Sequence, residues 1–266
     1  MTRPDRPLEG ITVLVTRPTG QGEGLCREIE AAGGRAASFP LLVIRPVDDA
    51  ALRQRLQDAV ASSAAIIFIS RNAAEIALRM LPEPAAFAGR TVIAAGPATR
   101  EALIKGGVEN VIGTDSTRAS EALLDRPELD GGRIGSAGVA IIRGEGGREL
   151  LAEELTRRGA RVKVVEIYRR EAPSPTPEQV HALWREVRPD IVVITSATAL
   201  YNLVAITADD DRPLLFGTRL AVMSERIGDI AAELGFSKPP LVAAAPSDSG
   251  LVRAIAKGAE LIQYDR

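Results

Sequence analysis

Short apolar runs, each followed by a stretch with helical spacing, recur along the whole chain. ITVLVTR (11–17) leads into GEGLCREIEAAGG, AAIIFISR (64–71) into NAAEIALRML, and RTVIAAG (90–96) into PATREALIKGG. GVAIIRG (138–144) then leads into GRELLAEELTRRG, DIVVITS (190–196) into ATALYNLVAI, and LAVMS (220–224) into ERIGDIAAELG. Runs that are apolar throughout are strands buried on both faces, and alternation with helices of about 10–15 residues predicts parallel sheets covered on both sides. The expected class is α/β.

The order of these units repeats. With Arg17 set against Arg143, an offset of 143 − 17 = 126, Gly33 meets Gly159, Phe39 meets Val165 and Ser70 meets Ser196. Later the offset drifts, and Gly107 best matches Gly235. One gap-free offset through these landmarks predicts two similar, duplicated α/β domains. FPLLVIRP (39–46) and VVEIYRRE (164–171) stand apart, because neither is followed at once by a strong helical pattern. They are candidates for a two-stranded β-ribbon between the domains. The Pro-rich EAPSPTPEQV after the second reads as a linker into a capped helix.

Ligands of open α/β sheets bind beyond the carboxyl ends of the strands, where helices begin. The residues at those ends are Arg17, Ser70-Arg71-Asn72, Gly96-Pro97 with Thr99, Arg143-Gly144, Thr195-Ser196 and Ser224. Each set offers hydroxyls, backbone N–H groups or a guanidinium. Any one of them is explained by helix capping alone. Six together predict a ligand with several acidic groups. RGEGGREL (143–150) is not a nucleotide loop, because no Lys-Ser or Lys-Thr follows it and Glu149 stands where G-x-G-x-x-G needs its last glycine. Its glycines suit a carboxylate, with Arg143 or Arg148 nearby.

Composition narrows the chemistry. Apolar residues make up 45% and charged residues 26% of 266, a globular balance, and the net charge is −2. A global electrostatic case for nucleic acid or an anionic membrane is missing. With one cysteine, Cys26, and one histidine, His181, zinc and haem chemistry are not expected. Cys26 is expected inside a buried helix face and His181 at a half-exposed helical position. No apolar run reaches the roughly 18 residues of a spanning helix, and MTRPDRPLEG lacks the apolar core of a signal peptide. A soluble cytoplasmic protein, monomeric for want of an extended apolar surface stripe, is expected.

VLVTRPTGQGEGL, FISRNAAE, AAGPATREAL, IIRGEGGRELLAEELTRRGARV with EIYRRE, and VVITSATAL, in this order and spacing, resemble the uroporphyrinogen-III synthase family over nearly the whole chain. The resemblance implies one discontinuous domain of about 1–38 plus 171–266, an inserted domain of about 47–163, and a ribbon of 39–46 with 164–170. It further implies a cyclising lyase without metal or organic cofactor. Such an enzyme closes the linear tetrapyrrole hydroxymethylbilane in a cleft between the domains, inverting the terminal pyrrole and releasing water. It also implies a catalytic role for Tyr168 of EIYRRE, whose phenol would face the cleft and donate a hydrogen bond to the departing hydroxyl. Tyr201 and Tyr264 are poorer candidates. Two departures stand out: Arg71 occupies a position where the family commonly has a small residue or proline, and AVMSERIGD lacks the Gly-Pro-x-Thr pattern of AAGPATRE. A non-catalytic tetrapyrrole-binding or regulatory protein of the same fold is the alternative. A two-domain sugar- or amino-acid-binding protein is disfavoured by the 3% aromatic content.

Overall fold

The computed structural model describes residues 6–47, 49–113, 123–134, 137–147, 149–259 and 261. The chain forms two compact units, Met1–Val43 with Glu171–Arg266, and Ile44–Arg170. Arg148 and Tyr264 lie outside the described residues.

The first unit holds a parallel sheet of five strands: β1 (Thr12–Val15), β2 (Arg35–Ser38), β9 (Ile191–Ile194), β10 (Arg219–Val222) and β11 (Leu241–Val242), in the order β11-β10-β9-β1-β2. Alternate side chains supply two cores, as strand geometry requires. Leu14, Val192, Ile194, Leu220 and Val222 pack against the helices Ala197–Ile206 and Glu225–Glu233. Val13, Val15, Ile191, Val193 and Ala221 pack against Glu23–Ala31 and Asp248–Lys257. Both faces are covered, which is why these strands read as unbroken apolar runs.

The second unit holds six strands: β3 (Val43–Pro46), whose first residue belongs to the first unit, β4 (Ala65–Phe68), β5 (Thr91–Ala94), β6 (Ile112–Gly113), β7 (Gly138–Gly144) and β8 (Arg161–Glu171), whose last residue does likewise. Their order is β3-β8-β7-β4-β5-β6. Ile66, Phe68, Ala140, Ile142, Val165 and Ile167 face one core, covered by the helices Ala50–Ala61, Arg71–Met80 and Pro97–Lys105. Ala65, Ile67, Val139 and Ile141 face the other, covered by Leu150–Arg157.

The two sheets agree in register as well as in order. Val13 pairs with Ile191 in one and Val139 with Ala65 in the other, and 139 − 13 and 191 − 65 are both 126. Thr12 opposite Arg35 corresponds in the same way to Gly138 opposite Arg161. The turns match too: Gly20 and Gly146 take φ of 82° and 72°, and Gly33 and Gly159 take 92° and 94°. These are left-handed conformations that favour glycine. The α/β architecture with parallel-rich sheets is thus as the sequence predicts. Among the described residues no helix is long and apolar enough to cross a membrane.

Of the two isolated candidates, His181 is exposed on the helix Pro177–Ala182 and bonds Asp211 at 3.0 Å. Cys26 is half-buried on the helix Glu23–Ala31 rather than fully inside.

Candidate active site

Parallel strands end on one side of a sheet, so the strand-end residues of each unit gather at one edge. In the first unit this brings together Arg17 after β1, Thr195 and Ser196 after β9, and Ser224 after β10. Arg17 is held by Asp248 at 2.6 Å. Ser196 caps its helix, accepting from the Ala199 N–H at 3.2 Å. Thr195 is half-buried, and Ser224 makes no side-chain cap.

In the second unit Ser70 follows β4, Gly96 follows β5, and Arg143 and Gly144 end β7. Gly96 is the N-cap of the helix Pro97–Lys105 and has no side chain with which to cap it. Pro97 is exposed at the first helical position, whereas Thr99 is buried. Arg71 turns outward to Glu75 at 2.6 Å, one helical turn on, and Asn72 is half-buried beside it.

Tyr168 reaches this edge through an irregularity in β8. Arg143 pairs with Glu166 but Gly144 pairs with Tyr168, so Ile167 is one residue too many on its strand. Such a bulge re-aims the side chain that follows it. Strict alternation would put Tyr168 on the face of Glu166. The bulge instead turns it onto the face of Ile142 and Ile167. There its ring crosses β7 at Gly144, where a Cβ would stand 2.4 Å from Cζ. Only a residue without a side chain lets the ring pass.

Beyond Gly144 the phenol meets Ser70, with Oη and Oγ 2.9 Å apart. Ser70 Oγ also accepts from the Ala73 N–H at 3.1 Å, as the cap of Arg71–Met80. Arg170, two residues along β8, donates from Nη2 to Oη at 2.9 Å and holds its Cζ 5.4 Å from the ring centroid. Tyr168 has 0% of its surface exposed, so it sits behind Ser70 and not at an open surface.

On the opposite face Arg143 folds back over Gly147 and bonds two carboxylates. Its Nη2 donates to Glu166 at 3.0 Å and also to Glu149. Burial disfavours the charged guanidinium, but the two carboxylates outweigh it and raise its pKa above the ordinary arginine value. These groups border a cavity of about 510 Å³ within the unit, which Tyr168 also lines and whose wall carries Arg55, Arg143 and Arg169 against Glu145, Glu149 and Glu166. Opposite charges balance there among the described residues. Arg143 is therefore engaged by the protein's own acids, and the sequence gives no local sign of it.

Residues missed in the sequence divide by distance. Arg170 stands two positions from Tyr168, and period-two alternation on a strand was a usable signal for it. Asp248, the partner of Arg17, lies far along the chain with no pattern pointing to it.

The family model described as uroporphyrinogen-III synthase HemD matches residues 23–253. The chain belongs to the uroporphyrinogen-III synthase family. The uroporphyrinogen-III synthase match takes in every expected site residue except Arg17. Uroporphyrinogen-III synthase from Escherichia coli K12 is 31% identical over 248 residues, covering 92% of this chain and 100% of the relative. The Salmonella typhimurium uroporphyrinogen-III synthase is 32% identical over 261 residues, with 92% and 100% covered. Among solved structures, a mutant uroporphyrinogen III synthase from Thermus thermophilus superposes with TM-score 0.57 at 19% identity, covering 97% of this chain and 100% of that one. The Helicobacter pylori uroporphyrinogen-III synthetase superposes with TM-score 0.57 at 12% identity, covering 93% and 99%. At these identities the structural likenesses speak for the fold.

Proposed function

We propose that this chain is a uroporphyrinogen-III synthase, a cyclising lyase that converts hydroxymethylbilane to uroporphyrinogen III with loss of water. The observation that carries this reading is the family match over residues 23–253, with relatives of that name at 31% and 32% identity covered over their full lengths. The enzyme works as a cytoplasmic monomer without metal or organic cofactor. Its two α/β units are copies of one ancestral unit, a reading supported by the shared strand order, the common register and the matched left-handed glycines. β3 and β8, neighbours in one sheet at the points where the chain passes between units, are the connecting ribbon.

The substrate carries eight carboxylates, so its receptor must offer many weak anion contacts. The helices Glu23–Ala31, Pro97–Lys105, Leu150–Arg157 and Glu225–Glu233 start without a side-chain cap. Their first-turn N–H groups and positive dipole ends suit acetate and propionate arms. Ser224, Gly96 and the loop of Gly144 stand at these starts, with Pro97 and Thr99 in the first turn after Gly96. Arg17, Thr195, Ser196, Arg71, Asn72, Arg143 and Arg148 complete the proposed binding set.

The chemistry belongs mainly to the electron-rich pyrroles. Departure of the terminal hydroxyl gives an azafulvenium cation, and closure at the substituted carbon of the last pyrrole gives a spiro intermediate. This fragments and recloses in the inverted sense. The protein must assist the departing hydroxyl, stabilise the cation and fold the chain so that the inverting closure prevails, which is catalysis by positioning and electrostatics. Tyr168 is the proton donor for the first step, aligned by Ser70 and Arg170.

Without enzyme the bilane closes to uroporphyrinogen I, so isomer-resolved product analysis tests the reading. Tyr168→Phe removes the phenolic proton and keeps the ring over Gly144. Formation of isomer III is expected to fall about 10²-fold or more, with the thermal midpoint little changed. Unaltered turnover would remove Tyr168 from the mechanism.

A further inference from the structure

Tyr168 is sealed from solvent, yet the step assigned to it needs a proton at the substrate. Ser70 is half-buried at the sheet edge and is the outer member of the pair. We propose that Ser70 is the catalytic residue that meets the departing hydroxyl, with Tyr168 as the proton store behind it and Arg170 as the positioning residue that sets the direction of transfer. This rests on the synthase reading above.

Hydrogen counting supports the direction. The Ser70–Tyr168 contact at 2.9 Å consumes one hydrogen, and the two hydroxyls bring two. Arg170 can only donate, so it occupies an acceptor site on Oη and polarises the phenolic O–H toward Ser70. The Ala73 N–H likewise occupies an acceptor site on Ser70 Oγ. With Tyr168 donating to Ser70, the serine hydrogen is the one left to point outward.

The steps balance. The carbon–oxygen bond of the hydroxymethyl group breaks with its electron pair going to oxygen. That oxygen takes the Ser70 hydrogen and leaves as water. Ser70 takes the Tyr168 hydrogen in the same motion, leaving a phenolate against the Arg170 guanidinium. After the final ring closure the unsubstituted α-carbon of the last pyrrole loses its hydrogen, which returns through Ser70 to Tyr168. One water is lost overall, and the pair ends as it began. Serine alone would have to form an alkoxide, so the buried phenol is what makes the outer hydroxyl usable.

The experiment is a steady-state comparison of Ser70→Gly, Ser70→Thr, Tyr168→Phe and the double variant Ser70→Gly with Tyr168→Phe. It uses hydroxymethylbilane generated in situ, and isomer III is quantified. Glycine is tolerated at an N-cap, so Ser70→Gly keeps the helix start. Circular dichroism of each variant verifies the fold. The relay predicts that Ser70→Gly and Tyr168→Phe each lower kcat by about 10²-fold or more with KM little changed. The double variant falls no further, and Ser70→Thr restores turnover to within a few-fold. The wild-type rate curves with deuterium fraction, as two moving protons require, and loses that curvature in Ser70→Gly. If Ser70→Gly retains turnover while Tyr168→Phe loses it, Tyr168 acts directly and the relay is overturned, with the synthase reading intact. If Tyr168→Phe is also unimpaired, neither hydroxyl moves the proton. Isomer I alone from the wild type overturns the synthase reading and the relay with it.

Discussion

At the scale of single residues, Gly144 decides what the edge of the second sheet can do. Its missing side chain is the passage through which the Tyr168 ring crosses from β8 toward Ser70 after β4. In the sequence Gly144 suggests close approach of a ligand's anion to the backbone, and the structure gives it a second reason, close approach of a ring. Gly144→Ala places a Cβ against Cζ and Cε2 and forces the ring aside. Overpacking of this kind costs about 1–3 kcal/mol. The variant should melt earlier, read by thermal unfolding, and should make isomer III as poorly as Tyr168→Phe. A variant of normal melting temperature and normal activity would show that the ring does not need this path.

At the scale of elements, the strands were legible because their residues face covered sheets on both sides. ITVLVTR, AAIIFISR, RTVIAAG, GVAIIRG, DIVVITS and LAVMS each contain all or most of a strand of the structure. RAAS, which forms β2, carries two half-buried alanines between exposed residues, and so had no apolar signature. The β8 bulge was equally silent, since nothing in EIYRRE says that the adjacent Ile167 and Tyr168 share a face until their register with β7 is known. Tertiary pins are another such class. Asp211, almost fully enclosed, accepts from Arg185 at 2.9 Å and bonds His181 at 3.0 Å, tying two segments about 30 residues apart. Burial works against its charged form, but the two partners outweigh it and hold its pKa below the ordinary carboxylate value. A depressed pKa contributes stability above the unfolded-state value and loses it as pH falls through the folded one. Wild type should therefore exceed Asp211→Asn in urea resistance at pH 7, and the gap should narrow as pH drops below the carboxylate range. A gap that is constant down to strongly acidic pH would mean that the charge of Asp211 is not what stabilises the pin.

At the scale of the whole molecule, the repeated offset in the sequence became two sheets with one strand order and one register. What it left out is how each unit satisfies its own charges. Arg17 and Arg143 correspond across the repeat, yet one is held by Asp248 and the other by Glu149 and Glu166. On the binding set proposed above, a substrate with eight carboxylates relies on helix starts and partial charges as much as on guanidinium groups. Such contacts are weak and screened by salt. Raising ionic strength from about 0.05 M to 0.5 M, a roughly threefold shorter Debye length, should raise KM several-fold with a smaller effect on kcat. A KM independent of salt would point to apolar recognition of the pyrrole rings instead. The most direct test of the central claim is the product isomer itself. Hydroxymethylbilane is generated enzymatically, the wild-type protein is added in catalytic amount, and the oxidised uroporphyrins are resolved by chromatography. Uroporphyrinogen III as the dominant product, in proportion to protein added, is the predicted result. Isomer I alone, at the rate seen without protein, would contradict the account.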